Sequence, residues 1–236
     1  MKKYHKINSL FKRDTSTKRA IITPEFARPE FGYLVNNEWE FTEKLDGTNI
    51  RILWDGISPL VLGKTDGGII PKALADGLGI DNRTGHFEND DATKLFKAAF
   101  PFEGKQGDFS VCLFCEGVGE RVHPGAGKYG PPAVVLFDVA VRATNDNDHW
   151  WWLSHENIVD VGRKMLLDVA PIIGTGNIHD MASMVKDGFN SRWGDFRAEG
   201  IVARPQVPLV DRRGNRIITK LKCKDYDDLK LLREGK

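Results

Sequence analysis

The chain has 236 residues, 41% of them hydrophobic, with 34 Lys plus Arg against 33 Asp plus Glu and three Cys. That balance excludes a disordered chain, a collagen-like repeat and a disulfide-stapled mini-domain, and leaves enough chain for a substantial core. No apolar run approaches the ~20 residues that cross a bilayer, and the opening MKKYHKINSLFKRD carries no secretory-signal pattern. The expectation is a cytoplasmic, monomeric protein with reduced thiols and no membrane partner. Charge is unevenly spread: residues 1–20 carry +6, residues 211–236 carry +4, and the stretch between carries −9. Basic ends suit phosphate and an acidic middle suits a divalent cation, yet solvated termini on an ordinary acidic domain give the same numbers.

No repeat or linker divides the sequence, so a single domain over 1–236 is expected. Alternating apolar residues at Trp39, Phe41 and Leu45, then at Ile50, Ile52 and Trp54, predict two strands joined by a tight turn at Asp46-Gly47. A helix over 91–100 is stopped by Pro101, and strands follow over 111–116 and 133–141. Helical spacing then runs from Ser154, as N-cap, through Ile158, Val161, Met165, Leu166 and Val169, stopping before Pro171. A short helix over 180–186 ends near Gly188, and strands are predicted over 200–204 and 216–222. Hairpin strands with interspersed helices, lacking strand-helix-strand alternation, indicate an α+β fold of largely antiparallel sheets flanked by helices.

Familiar signatures nearly occur and fail. Gly63-Lys64-Thr65 lacks the P-loop glycine, its place being taken by Ser58; Gly117-Val118-Gly119 lacks the third glycine at Val122; His155-Glu156 lacks the second zinc-protease histidine at Val159. Cys112 and Cys115 have zinc-like spacing without a second pair, so all three thiols read as small core residues. The Trp150–Trp152 run reads as a packed corner of the core.

What remains is a scattered set: Glu43-Lys44-Leu45-Asp46-Gly47-Thr48-Asn49, Phe114-Cys115-Glu116-Gly117, Leu136-Phe137-Asp138-Val139, Ala198-Glu199-Gly200-Ile201-Val202 and Lys220-Leu221-Lys222. In this order they resemble the nucleotidyltransferase motifs shared by polynucleotide ligases and mRNA capping enzymes. The form is most similar to the ATP-dependent RNA ligases of the phage nick-repair type, with Asn49 where DNA ligases and capping enzymes usually carry Arg, and with Lys128-Tyr129-Gly130 completing the Glu116 motif. The resemblance covers roughly residues 4–226. It implies a nucleotidyltransferase (ATP-grasp-like) domain, phage or bacterial, that joins 5′-phosphate and 3′-hydroxyl ends of RNA, or of an RNA-containing nicked duplex, through a lysyl-AMP intermediate.

The resemblance also implies roles. Lys44 is the nucleophile; Asp46, Glu116 and Glu199 hold magnesium or manganese through water; Lys220 and Lys222 grip the α-phosphate. Glu43, Leu45, Asn49, Lys64 and Phe137 fall at nucleotide-pocket positions, Phe137 as the ring that stacks on adenine. Lys64 departs from the family's usual Arg, which removes bidentate phosphate binding there.

The residue types also follow from the chemistry. Adenylyl transfer to an amine needs a neutral lysine, whereas a free lysine titrates near ~10.4. Three carboxylates alone would favour the ammonium, so they make sense with a cation between them and Lys44, and magnesium takes such oxygen ligands through its waters. Lys220 and Lys222 alternate with Leu221 and so share a strand face. Only 14 residues follow Lys222, so no separate C-terminal domain is expected, and Arg212, Arg213, Arg216 and Lys224, with the basic amino-terminal cluster, are the expected nucleic-acid contacts. A small DNA ligase shares all of this chemistry, and a non-catalytic nucleotide or nucleic-acid binding module shares the fold.

Overall fold

The computed structural model describes residues 3–16, 21–101, 109–143 and 150–233. In chain order the elements are β1 (Asn8–Ser9), β2 (Phe11–Asp14), β3 (Ile21–Phe26), α1 (Pro29–Tyr33), β4 (Trp39–Lys44), β5 (Thr48–Trp54), β6 (Pro59–Leu62), α2 (Lys72–Leu78), α3 (Asp91–Ala99) and β7 (Phe109–Val118). A 3₁₀ turn (Ala126–Tyr129), β8 (Ala133–Ala143), β9 (Trp151–Trp152), α4 (His155–Met165), β10 (Asp168–Val169), β11 (Ile172–Gly176), α5 (Ile178–Asp187), β12 (Gly200–Pro205), β13 (Thr219–Lys222) and α6 (Cys223–Arg233) complete it. The chain divides into two compact units: a central one, Met1–Tyr4 with Asp46–Ala170, and a terminal one, His5–Leu45 with Pro171–Lys236. No linker-like composition marks the crossings.

The central unit is built on a sheet ordered β10-β8-β7-β5-β6, with β9 on β8; every pairing is antiparallel except β10 with β8. Period-2 alternation decides its two faces. Ile50, Ile52 and Trp54 of β5 join Val111, Leu113 and Cys115 of β7 in a core covered by Leu74, Phe96, Ile158 and Val161 from the helices. Trp54 stacks on Phe96 with centroids 5.2 Å apart. On the other face Cys112 and Phe114 pack with Tyr4, Leu53, Phe137, Trp150 and Trp152, so the tryptophan run does fill a corner of the core. All three cysteines are buried and free, as their reading as core residues requires.

The terminal unit carries a sheet ordered β1-β13-β12-β4-β11 and a separate β2-β3 ribbon. Trp39, Phe41, Ile201 and Leu221 form one face of the sheet and pack with Phe31, Ile178, Met181 and Val185. Trp39 is fully buried, and its indole N–H donates to the Leu34 carbonyl at 2.9 Å, so this burial leaves no polar atom unsatisfied.

Three sequence expectations change. The strands flanking Asp46-Gly47 form, but β4 pairs with β11 and β12 whereas β5 pairs with β6 and β7, so no hairpin joins them. Gly47 lacks a positive φ; glycine is needed because a Cβ would sit 2.2 Å from the Gly117 carbonyl oxygen. Helix α4 starts at its Ser154 cap, whose Oγ accepts from the Asn157 N–H, but ends at Met165. Leu166 there takes a left-handed conformation, φ 56°, and the Leu167 N–H reaches back to Gly162 at 2.8 Å, a Schellman closure with leucine in the usual glycine place. The helix expected over 180–186 begins earlier, because Asn177 and Asp180 form a capping box.

Candidate active site

In the terminal unit, strand register sets Lys44, Gly200 and Lys222 side by side on β4, β12 and β13. Gly200 is required, since a Cβ would lie 2.1 Å from the Leu221 carbonyl oxygen. Glu199, just before it, receives an ammonium on each carboxylate oxygen: Lys44 Nζ on Oε2 and Lys222 Nζ on Oε1, both at 2.5 Å. Lys44 Nζ also donates to the carbonyl of the buried Leu45 at 3.1 Å. Burial would raise the Glu199 carboxyl, but the Lys44 and Lys222 charges outweigh it and hold it below its ordinary value.

Lys220 shares the strand face of Lys222, as the alternation predicts. Burial, and then the neighbouring Lys44 and Lys222 charges, lower its pKa, with Glu199 only partly opposing them. Among the described residues no carboxylate lies within ion-pair distance of Lys220. A half-buried ammonium among ammoniums, lacking its own counter-ion, is a place prepared for an anion.

Two placements in this unit were not legible from sequence. Asp225 is buried, accepts both Arg13 contacts at 2.8 Å and takes the Lys222 backbone N–H at 3.2 Å, which fixes the end of β13 where Lys222 sits. Glu43, next to Lys44 in sequence, falls on the opposite face of β4 and is 2% exposed. Its carboxylate accepts from Ser191 Oγ at 2.6 Å and from the Arg192 N–H at 2.8 Å, so it pins the segment leading to Glu199.

In the central unit, Asp46 begins the chain's passage into β5. Its N–H donates to the Tyr129 hydroxyl at 3.1 Å, and its carboxylate lies 3.8 Å from His123 Nδ1 and 3.9 Å from Lys128 Nζ. Gly125, with φ 93°, passes so close that a Cβ would meet Asp46 Oδ2 at 2.7 Å. The loop after β7 thus wraps Asp46. Of the residues around Asp46, Lys128 and Tyr129 stand in a motif visible in the sequence, whereas His123 and Gly125 carry no such signal.

Asn49 and Glu116 are cross-strand partners on β5 and β7. Asn49 Oδ1 is buried and has no hydrogen-bond partner among the described residues, an acceptor left for something the chain does not supply. Phe137 is the extra residue of a β-bulge: Phe114 pairs with Asp138 and Cys115 with Leu136, so Phe137 has no partner on β7. It is half-buried, and Tyr4 meets it edge-on at 5.1 Å. Lys64 is exposed on the segment after β6. The fully buried Arg51 braces that segment, donating to the Gly63 carbonyl and to Asp66, each at 2.9 Å.

Among the described residues no three His, Cys, Asp or Glu side chains gather as a direct metal-ligand set. Asp46 and Glu116 belong to the central unit and Glu199 to the terminal one. Each is an oxygen donor of the type that magnesium or manganese takes. Arg212, Arg213 and Lys224 are exposed and Arg216 is half-buried, all in the terminal unit. No helix among the described residues is long and apolar enough to cross a membrane.

The architecture is the α+β nucleotidyltransferase fold of RNA-joining enzymes. It is similar to that of a Naegleria gruberi RNA ligase with ATP and Mn, with a TM-score of 0.55 at 14% identity, covering 94% of this chain and 61% of that one. An archaeal ATP-dependent RNA ligase gives a TM-score of 0.56 at 16% identity, covering 98% of this chain and 51% of the other. The chain therefore spans about half to three-fifths of those proteins. No curated protein matches it in sequence. The profile of the RNA ligase family matches residues 37–222, from just before β4 to the end of β13, and the chain belongs to that family.

Proposed function

We propose that the protein is an ATP-dependent RNA ligase that works through a covalent lysyl-AMP intermediate. The observation that carries this reading is the Lys44–Glu199–Lys222 row with Lys220 beside it: a lysine at a strand end, held by one carboxylate, next to an ammonium with no counter-ion of its own among the described residues. Lys44 Nζ, once it has given up its proton, attacks the α-phosphorus of ATP; a P–N bond forms and the bond to pyrophosphate breaks. Lys220 and Lys222 balance negative charge developing on the phosphates. AMP then passes to the 5′-phosphate of an RNA end, and a 3′-hydroxyl displaces it to close the strand. Magnesium or manganese bound with ATP would screen phosphate charge and favour neutral Lys44; Asp46 and Glu116 in the central unit, and Glu199 in the terminal unit, are carboxylates able to hold waters of such an ion. Asn49 offers its unpartnered acceptor to a ribose hydroxyl, and Lys64 a point charge to phosphate.

Phe137 is assigned to stack on adenine. Phe137→Ala should weaken ATP binding by about 1–3 kcal/mol, the usual scale for losing a base from an aromatic ring, and Phe137→Leu should recover part of it. Isothermal titration with ATP reads both; unchanged affinity in each variant would return Phe137 to the aromatic core alone.

The reading as a whole is tested by incubating the protein with magnesium and labelled ATP or GTP, then with a nicked RNA duplex or its all-DNA counterpart. Denaturation-stable label from ATP only, and sealing of the RNA nick, are expected. Absence of label would leave a binding module, and preferential sealing of DNA would make it a DNA ligase.

A further inference from the structure

We propose that the loop Asp211–Arg216 in the terminal unit is a prefolded grip for the phosphate backbone of the RNA being joined, with Arg212 and Arg213 as its contacts. The inference rests on the ligase reading and gives its substrate a binding element. Arginines on a surface loop are common, and what sets this loop apart is how completely its fold is fixed beneath them.

Asp211 does the fixing. Its Oδ1 accepts the Arg213 N–H at 2.8 Å and the Asn215 N–H at 2.9 Å, and its Oδ2 accepts Arg28 Nη2 at 2.9 Å and Asn215 Nδ2 at 3.2 Å. Two backbone bonds, Asp211 N–H to the Asn215 carbonyl at 2.8 Å and Gly214 N–H to the Asp211 carbonyl at 2.9 Å, close the turn. Gly214 supplies the left-handed residue, φ 78°, and a Val210–Arg216 bridge ties the two stems. The Arg28 guanidinium holds the Asp211 carboxyl far below the usual carboxylate range, so it stays ionised and fully engaged.

The charge balance then points outward. The loop's one carboxylate is 7% exposed and is spent on Arg28 and on its own amides. Arg212 and Arg213 are exposed, and among the described residues neither pairs with a carboxylate. Two adjacent guanidiniums on a loop that needs no further ordering repel each other, and a chain of phosphates relieves that repulsion without an added entropic cost for the backbone. A nucleic-acid strand brings phosphates in series, so both guanidiniums find an anion on one partner.

The test measures binding of the full-length protein, without ATP, to a fluorescent nicked RNA duplex with a 5′-phosphate at the nick, across a salt series. Arg212→Ser combined with Arg213→Ser should bind at least ~10-fold more weakly at low salt, and its plot of log affinity against log salt should be shallower by about 1.5–2, the loss of two phosphate contacts. Arg212→Lys with Arg213→Lys should keep the wild-type slope. Both positions are solvent-exposed, and thermal melting of each variant checks that the fold is retained. Wild-type affinity and slope in the serine variant would overturn the proposal. Because no ATP is present, a failure of Lys44 to take AMP appears in the labelling assay and not here.

Discussion

Lys44→Ala should reduce covalent labelling by ATP to background, a loss of at least ~10³-fold, while leaving the fold intact, since the proposed nucleophile is gone. The fold should survive because Glu199 keeps Lys222 on its other oxygen at 2.5 Å, so no buried carboxylate is left unpaired. Lys44→Arg is the sharper variant. A guanidinium preserves the ion pair with Glu199 but is never deprotonated in water and cannot attack phosphorus. Both variants should melt like wild type and both should stay unlabelled. Label on the Arg variant would mean that Lys44 acts only as a cation and that the nucleophile lies elsewhere.

The candidate site was legible in the sequence where it falls in motifs that resemble those of a known family. Lys44, Glu199 and Lys222 stand in three such motifs, and the register of β4, β12 and β13 sets Lys44 and Lys222 on either side of Gly200, with Glu199 just before it. Strand alternation put Ile50, Ile52 and Trp54 on one face of β5, and all three lie in the core. It could not say which strands pair, because a period of two is the same whatever the partner; hence the expected hairpin at Asp46-Gly47 proved to be a passage between two sheets. Helix α4 was drawn too long because its stop is Leu166 in a left-handed conformation, which no glycine announces, and Pro171 was the next visible signal. Contacts remote in sequence were beyond reach: Arg13 and Asp225, which fix the end of β13, are 212 positions apart. The contacts of Glu43 were equally out of reach: being adjacent to Lys44 in a strand turns its side chain to the opposite face, where it meets Ser191 and Arg192, 148 and 149 positions away.

Glu199→Gln should slow single-turnover adenylylation by about 10²–10³-fold, the scale of removing one preorganised electrostatic partner from a reacting site. Lys44 and Lys222 each reach a different oxygen of this carboxylate at 2.5 Å, so the substitution removes the charge that both share and leaves them with Lys220 as a cluster of like charges. Stability should respond in a defined direction. The Glu199 carboxyl is held below its ordinary value of 4.5, so the folded state binds its proton less readily than the unfolded chain does. Its contribution is then fully present above that value and lost as pH falls through the lower folded value, and the Gln variant should lack this part of the acid sensitivity in urea titrations below about pH 4.5. A double-mutant cycle with Lys222→Ala separates shared from independent action. If the two residues work as a pair, the double variant should lose far less rate than the product of the single losses, because removing either one already breaks the contact. Strictly multiplicative losses would show that Lys222 acts on the phosphates without Glu199, and that the ion pair between them is incidental to the reaction.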